Sequence, residues 1–153
     1  MRLEVTRKSD LAVRALQTLG ASTGRMKGPV LAEAVGSTPG FVAQVVTPLI
    51  RQGWVRSDPG PSGGYSLAVA LDAVSVLAVI EAIEGPTATG QCVLADRPCN
   101  ETGTCALHVP WLSARSQLLG ELAATPVAGV LGGGVTVPGL QGQKHRSPKG
   151  DRR

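Results

Sequence analysis

Five of the seven residues in Asp58-Pro-Gly-Pro-Ser-Gly-Gly64 are proline or glycine. Such a run admits neither a helix nor a central strand, because proline fixes φ and lacks a donor while glycine favours turns. The flanking segments, Trp54-Val-Arg56-Ser57 and Tyr65-Ser-Leu67-Ala68, are short and mix apolar with polar residues, as half-buried strands do. Together they predict a short β-hairpin with a turn-rich tip. Glycine-rich tips also cradle phosphates, but this one lacks the Gly-x-x-x-x-Gly-Lys pattern and opens no helix.

The chain before the hairpin reads as helical. Ser9 or Asp10 is placed to cap a first helix, with Leu11, Ala15, Leu16 and Leu19 on one apolar face. Gly20 and the run from Ser22 to Pro29 end it. A short second helix is expected from about Val30 to Val35, stopping at Gly36. Thr38 followed by Pro39 is a cap with a first-turn proline, and opens a third helix. Phe41, Val42, Val45, Val46, Leu49 and Ile50 continue it at helical spacing, with Gly53 just past its end. Pro48 lies inside this pattern and is expected to bend or interrupt it.

Short helix, turn, longer helix and hairpin is the order of a winged helix-turn-helix, whose third helix enters the major groove of DNA. The outward residues of that helix, Thr38, Gly40, Gln44, Thr47 and Arg51, are the candidate readers. Glutamine suits adenine, threonine suits the thymine methyl, and Arg51 suits phosphate. On the hairpin, Arg56 and Ser62 are the candidates for the DNA backbone or the minor groove.

Past the hairpin, Ser75 caps a predicted helix from Val76 to Glu84, ended by Gly85-Pro86. Another helix is expected from about Val109 to Ala124. Its stripe of Trp111, Leu112, Arg115, Leu118, Leu119 and Leu122 suits a dimer face or packing on its own domain. Beyond Thr125-Pro126 come Gly132-Gly-Gly134, Pro138 and a basic end, read as poorly ordered. The expected fold is mainly α with a small β-hairpin wing. It divides into a DNA-binding winged helix-turn-helix over 1–85, a cysteine loop over 86–108, a dimerisation helix over 109–125 and a tail over 126–153.

All three cysteines fall between Cys92 and His108, as Cys92-x6-Cys99-x5-Cys105-x2-His108. Pro98, Asn100 and Gly103 keep that stretch from forming a long helix. No run approaches the roughly 18 apolar residues of a membrane span. Met1 to Asp10 lacks the apolar core of a secretory signal. A cytoplasmic protein with reduced thiols is therefore expected, in which a cysteine cluster points to metal more than to disulfides. A zinc site with these ligands would lack the paired Cys-x-x-Cys knuckles of most structural zinc sites. A metal-free thiol sensor, with Arg97 lowering a thiol pKa, is another reading. An enzyme with a cysteine nucleophile and His108 as base finds no supporting cleft signal, and a cluster-free repressor also fits.

The net charge of +4 hides a pattern. Residues 1–68 carry eight Lys/Arg against four Asp/Glu, residues 69–143 two against six, and residues 144–153 five against one. A basic N-terminal half is compatible with nucleic acid, although charge alone proves no partner.

The combined features resemble the Rrf-two family of winged-helix transcriptional regulators over about residues 1–124. The resemblance rests on Met1-Arg-Leu, Asp10-Leu-Ala-Val-Arg-Ala-Leu16, Leu49-Ile-Arg-Gln-Gly-Trp-Val55 and the wing Gly60-Pro-Ser-Gly-Gly-Tyr-Ser-Leu67. It also rests on Val79-Ile-Glu-Ala-Ile-Glu-Gly85 and Cys92…Cys99…Cys105-Ala-Leu-His108-x-x-Trp111. It implies a non-enzymatic homodimer, typically a repressor, that binds a partly palindromic DNA operator. Cys92, Cys99 and Cys105 would hold an iron–sulfur cluster whose state sets DNA affinity. In members of the NsrR type, an aspartate at the position of Asp10, from the partner subunit, completes a 4Fe–4S cluster that reacts with nitric oxide; this is the favoured assignment. In members of the IscR type, a histidine at the position of His108 ligates a 2Fe–2S cluster, which is the alternative. Nitric oxide or an oxidant is the implied signal. The chain departs from the pattern in a first cysteine gap of six residues rather than five, in Asp58-Pro59 where an arginine commonly precedes the glycine turn, and in Ala43 and Pro48 of the third helix.

Overall fold

The computed structural model describes residues 5–87 and 105–130. Five helices and one hairpin follow in chain order: α1 (Arg7–Ala21), α2 (Gly28–Ala34), α3 (Pro39–Arg51), β1 (Val55–Asp58), β2 (Gly64–Leu67), α4 (Val76–Glu84) and α5 (His108–Ala124). Short 3₁₀ turns lie at Leu71–Ala73 and Val127–Gly129.

The start of α1 differs from the sequence expectation. Thr6 is its cap, accepting the backbone N–H of Ser9 at 3.2 Å. Ser9 itself is fully buried and donates its hydroxyl to the Glu84 carboxylate at the end of α4. A tertiary partner thus claims the side chain that local pattern assigned to capping. Thr38 does cap α3, accepting from the N–H of Phe41 at 3.3 Å, and Pro39 takes the first turn.

Pro48 does not interrupt α3, which runs on to Arg51. A proline in a helix forfeits one backbone hydrogen bond and crowds the preceding turn. Only three residues follow it, and Val45, Val46 and Leu49 around it are fully buried. Burying each such side chain stabilises by roughly 1.5–3 kcal/mol, enough together to hold the last turn.

The strands pair antiparallel, with Val55 opposite Leu67 and Asp58 opposite Gly64. A third segment joins this wing, because Met26 and Tyr65 exchange two backbone hydrogen bonds of 2.8 Å each. That close approach explains Gly64, where a Cβ would lie 2.7 Å from the Met26 carbonyl oxygen. At Gly63 a Cβ would run into the backbone of Asp58 and Pro59. The tip therefore demands both glycines.

The core gathers Leu11, Leu16 and Leu19 of α1, Leu31 of α2 and Val42, Val45, Val46 and Leu49 of α3, closed by Val55, Val74 and Val79. Val127 belongs to it as well. Its N–H donates to the Val74 carbonyl at 2.8 Å, and its carbonyl accepts from Gln17 Nε2 at 2.7 Å. Residues 126–130, expected to open a poorly ordered tail, are thus docked on the domain. One valine after a proline is too short a pattern to register as an element. The remainder of the expected tail lies outside the described residues. Helix α5 packs on α4, yet none of its residues is buried.

Candidate nucleic-acid interface and cysteine loop

Helix α3 separates its two faces sharply. Val42, Val45, Val46 and Leu49 fill the core, while Gly40, Gln44, Thr47 and Arg51 are exposed on the opposite side, following Thr38 at the cap. Residues 40, 44, 47 and 51 are three or four apart, so they form one row along the helix. Open space surrounds Gly40, where nothing lies within 4 Å of a built Cβ. The Thr47 hydroxyl donates to the Ala43 carbonyl at 2.7 Å, which leaves its methyl group as the group free to meet a ligand. Arg51 ends the row. Four of the five sequence-predicted readers share this exposed row, and Thr38 is exposed at the cap where α3 begins.

On the wing, Arg56 and Ser62 are both exposed. Arg25, which sequence reasoning missed, is also there. Its Nε donates to Asp58 Oδ2 at 2.6 Å, linking residues 33 apart in the chain. No local pattern announces such a contact, because it depends on the Met26–Tyr65 pairing.

Cys92 and Cys99 lie outside the described residues. Cys105 is half-buried, and its carbonyl accepts the backbone N–H of His108 at 2.9 Å. His108 is the first residue of α5, so these two candidate ligands bracket a single turn. Asp10 is exposed in the first turn of α1, where its carboxylate pairs with Arg14 at 2.9 Å. No group of three or more His, Cys, Asp or Glu side chains able to hold a metal occurs among the described residues.

Two polar ties frame the loop. The Glu84 carboxylate at the end of α4 accepts from the hydroxyls of Ser9 and of Thr6, the latter at 2.6 Å, and so joins the start of α1 to the helix that leads into the loop. The Glu81 carboxylate accepts from the Thr87 hydroxyl at 2.7 Å and the Thr87 N–H at 3.1 Å. Arg115 of α5 donates to the Thr87 carbonyl. The Thr87 hydroxyl, its N–H and then the Arg115 charge hold the Glu81 carboxyl below its ordinary value of 4.5, against an opposing desolvation. Sequence pattern gave no notice of the Glu84 tie, which joins residues 75 and 78 apart, or of Arg115, which reaches Thr87 from 28 residues away.

Comparison with known proteins decides the family. The family model Rrf2, described as an iron-dependent transcriptional regulator, matches residues 5–132. The chain belongs to the Rrf2 family. It is 34% identical over 134 residues to a chain of Mycobacterium tuberculosis (strain H37Rv) named as an HTH-type transcriptional regulator, covering 86% of this chain and 83% of that one. It is 32% identical over 113 residues to the HTH-type transcriptional regulator IscR of Erwinia tasmaniensis, covering 71% of this chain and 67% of the relative. Among solved structures, IscR of T. potens superposes with a TM-score of 0.65 at 22% identity, covering 82% of this chain and 84% of that one. CymR of B. subtilis, titled the global cysteine regulator, gives 0.65 at 23%, covering 82% and 94%. These two likenesses carry the winged-helix fold. This Rrf2 protein is accordingly a DNA-binding transcriptional regulator and not an enzyme. No helix among the described residues is long and apolar enough to cross a membrane.

Proposed function

We propose that this Rrf2 protein is a homodimeric repressor whose operator affinity is set by an iron–sulfur cluster held in the loop over 86–108. The observation that carries the reading is the placement of every cysteine of the chain, Cys92, Cys99 and Cys105, between α4 and α5, with His108 one turn beyond. Three thiolates within 14 residues are the donor chemistry of such clusters, so the residues fit the group. The fourth ligand is Asp10 of the partner subunit, favoured with a 4Fe–4S cluster, or His108 with a 2Fe–2S cluster. When bound, the cluster supplies a centre sensitive to redox state and to small ligands.

The protein's own residues transmit the change. Asp10 sits beside Ser9, which Glu84 ties to the end of α4 just before the loop. A ligand contributed by α1 would couple the loop to the helices that carry α3, which is the bistable element such a switch needs. Helix α5 supports the dimer, because Val109, Leu112 and Leu118 are 73%, 48% and 47% exposed on a helix with no buried residue. Two copies would then present two α3 ridges to successive major grooves. The proposed DNA contacts are Thr38, Gly40, Gln44, Thr47, Arg51, Arg56 and Ser62.

The deciding experiment is anaerobic purification with absorption spectra and iron and sulfide assays. About four irons per subunit supports the Asp10 assignment, and about two supports His108. Asp10→Ala and His108→Ala then identify the fourth ligand by which variant loses iron. Nitric oxide, oxidant or iron–sulfur depletion is identified as the signal by which one changes DNA binding of the holo-protein. Zinc alone, or metal-free protein whose thiols oxidise while it still binds DNA, overturns the cluster reading and leaves the winged-helix repressor.

A further inference from the structure

We propose that Arg25, aimed by Asp58, is an additional DNA-contacting residue that gives the wing the arginine its own tip lacks. The tip, Asp58 to Gly64, contains no cation. Arg25 reaches the wing from the α1–α2 connection because Met26 pairs with Tyr65 of β2. Its Nε donates to Asp58 Oδ2 at 2.6 Å, which engages one edge of the planar guanidinium and leaves the donors on its far end for another acceptor. The Arg25 side chain is 55% exposed and that of Asp58 32%, so the pair lies at the surface and is open to a partner.

The surroundings suit an anionic partner. Lys27 stands two residues beyond Arg25 across Met26, which packs on the core, so both cations lie on the outer side. Arg56 stands two residues before Asp58 on β1, on the same face of the strand. Three exposed cations therefore share this side of the wing, of which Arg25 pairs with Asp58. Lys27, Asp58, Gly60 and Tyr65 also line an open cleft of about 320 Å³ beside the tip. An exposed ion pair of this kind adds little to stability. Its effect is to limit the rotamers of a long side chain, so that less freedom is lost when the guanidinium meets an acceptor. The acceptor chemistry is an oxygen or ring nitrogen of duplex DNA, on a phosphate or on a guanine edge.

This inference rests on the helix-and-wing reading of the DNA interface and is independent of the cluster. The test compares the wild-type full chain with Arg25→Gln, Asp58→Asn and the double variant. Two probes are used: a duplex that the wild type selects from a random library, and a mixed-sequence duplex. With a phosphate contact, Arg25→Gln weakens binding to both duplexes by a similar factor, about threefold to tenfold, and lowers the salt slope by about 0.9 per protomer. With a guanine contact, it weakens the selected duplex only and relaxes preference at one base pair. Either result supports the proposal.

Asp58→Asn separates aiming from charge. It removes a negative charge, so it should tighten binding in the Arg25→Gln background, yet weaken it where Arg25 is present. Tightening in both backgrounds would show that Asp58 merely repels DNA and would overturn its positioning role. Unchanged affinity of Arg25→Gln, with an unchanged melting curve, would overturn the contact. A wild type that selects no duplex would overturn the DNA interface itself, a failure distinct from the other two.

Discussion

The hydroxyl of Ser9, fully buried in the first turn of α1, donates to the carboxylate of Glu84 at the C-terminal end of α4. Residues 75 apart in sequence thus fix where the first helix begins relative to the helix that leads into the cysteine loop. Glu84 is exposed while Ser9 is buried, and stranding a buried donor costs more than removing both partners. Glu84→Ala leaves the Ser9 hydroxyl without this acceptor and should destabilise the protein by about 1–3 kcal/mol. Ser9→Ala in the Glu84→Ala background should restore part of that loss. Urea unfolding of the four proteins measures both, and a Glu84→Ala midpoint equal to wild type would refute the coupling.

A second prediction concerns acid. Glu81 has a folded pKa below its ordinary 4.5, chiefly because the Thr87 hydroxyl and N–H donate to the ionised form, with Arg115 of α5 adding its charge. A depressed carboxylate stabilises the fold above the unfolded pKa and loses that contribution as pH falls through the folded value. Wild type should therefore be more stable than Glu81→Gln at neutral pH, and the gap should close below pH 4.5. Urea midpoints across that range test this. A gap that stays constant into acid would mean the Glu81 charge is irrelevant to the fold. Removing Arg115 should shrink the gap without abolishing it, since Thr87 is the larger cause.

The difference between what the sequence revealed and what it hid follows from the range of each interaction. The Thr38 cap, the exposed face of α3 and the presence of the hairpin follow from spacing within a few residues, so the elements that carry the candidate readers are legible in sequence. The α1 cap was misassigned because Ser9 answers to Glu84, far along the chain. The expectation that Pro48 bends or interrupts α3 counts one lost hydrogen bond and overlooks Val45, Val46 and Leu49 packing around it. Val127 was missed because a single buried side chain carries no period. Arg25 was invisible for a related reason, since its place on the wing is created by the Met26–Tyr65 pairing. The cysteine positions are local in sequence, whereas the tie of Glu84 to Ser9 at the end of α4 is tertiary.

The recognition ridge itself makes a graded prediction. Gln44 is exposed at its centre, with an amide that can both donate and accept, as adenine requires. Thr47, one turn on, has its hydroxyl already engaged by the Ala43 carbonyl and offers a methyl group instead. Thr47→Val keeps that methyl and should change affinity for a wild-type-selected duplex by less than about twofold, because no base-directed hydrogen bond is lost. Gln44→Ala removes a candidate bidentate contact and should cost about 1–3 kcal/mol on that duplex while leaving mixed-sequence binding nearly intact. Arg51→Ala should instead weaken both duplexes alike and reduce the salt dependence, as a phosphate contact does. Fluorescence anisotropy titrations at two salt concentrations separate the three. A large loss for Thr47→Val would mean its hydroxyl leaves Ala43 to read a base, and equal losses of Gln44→Ala on both duplexes would remove Gln44 from base readout.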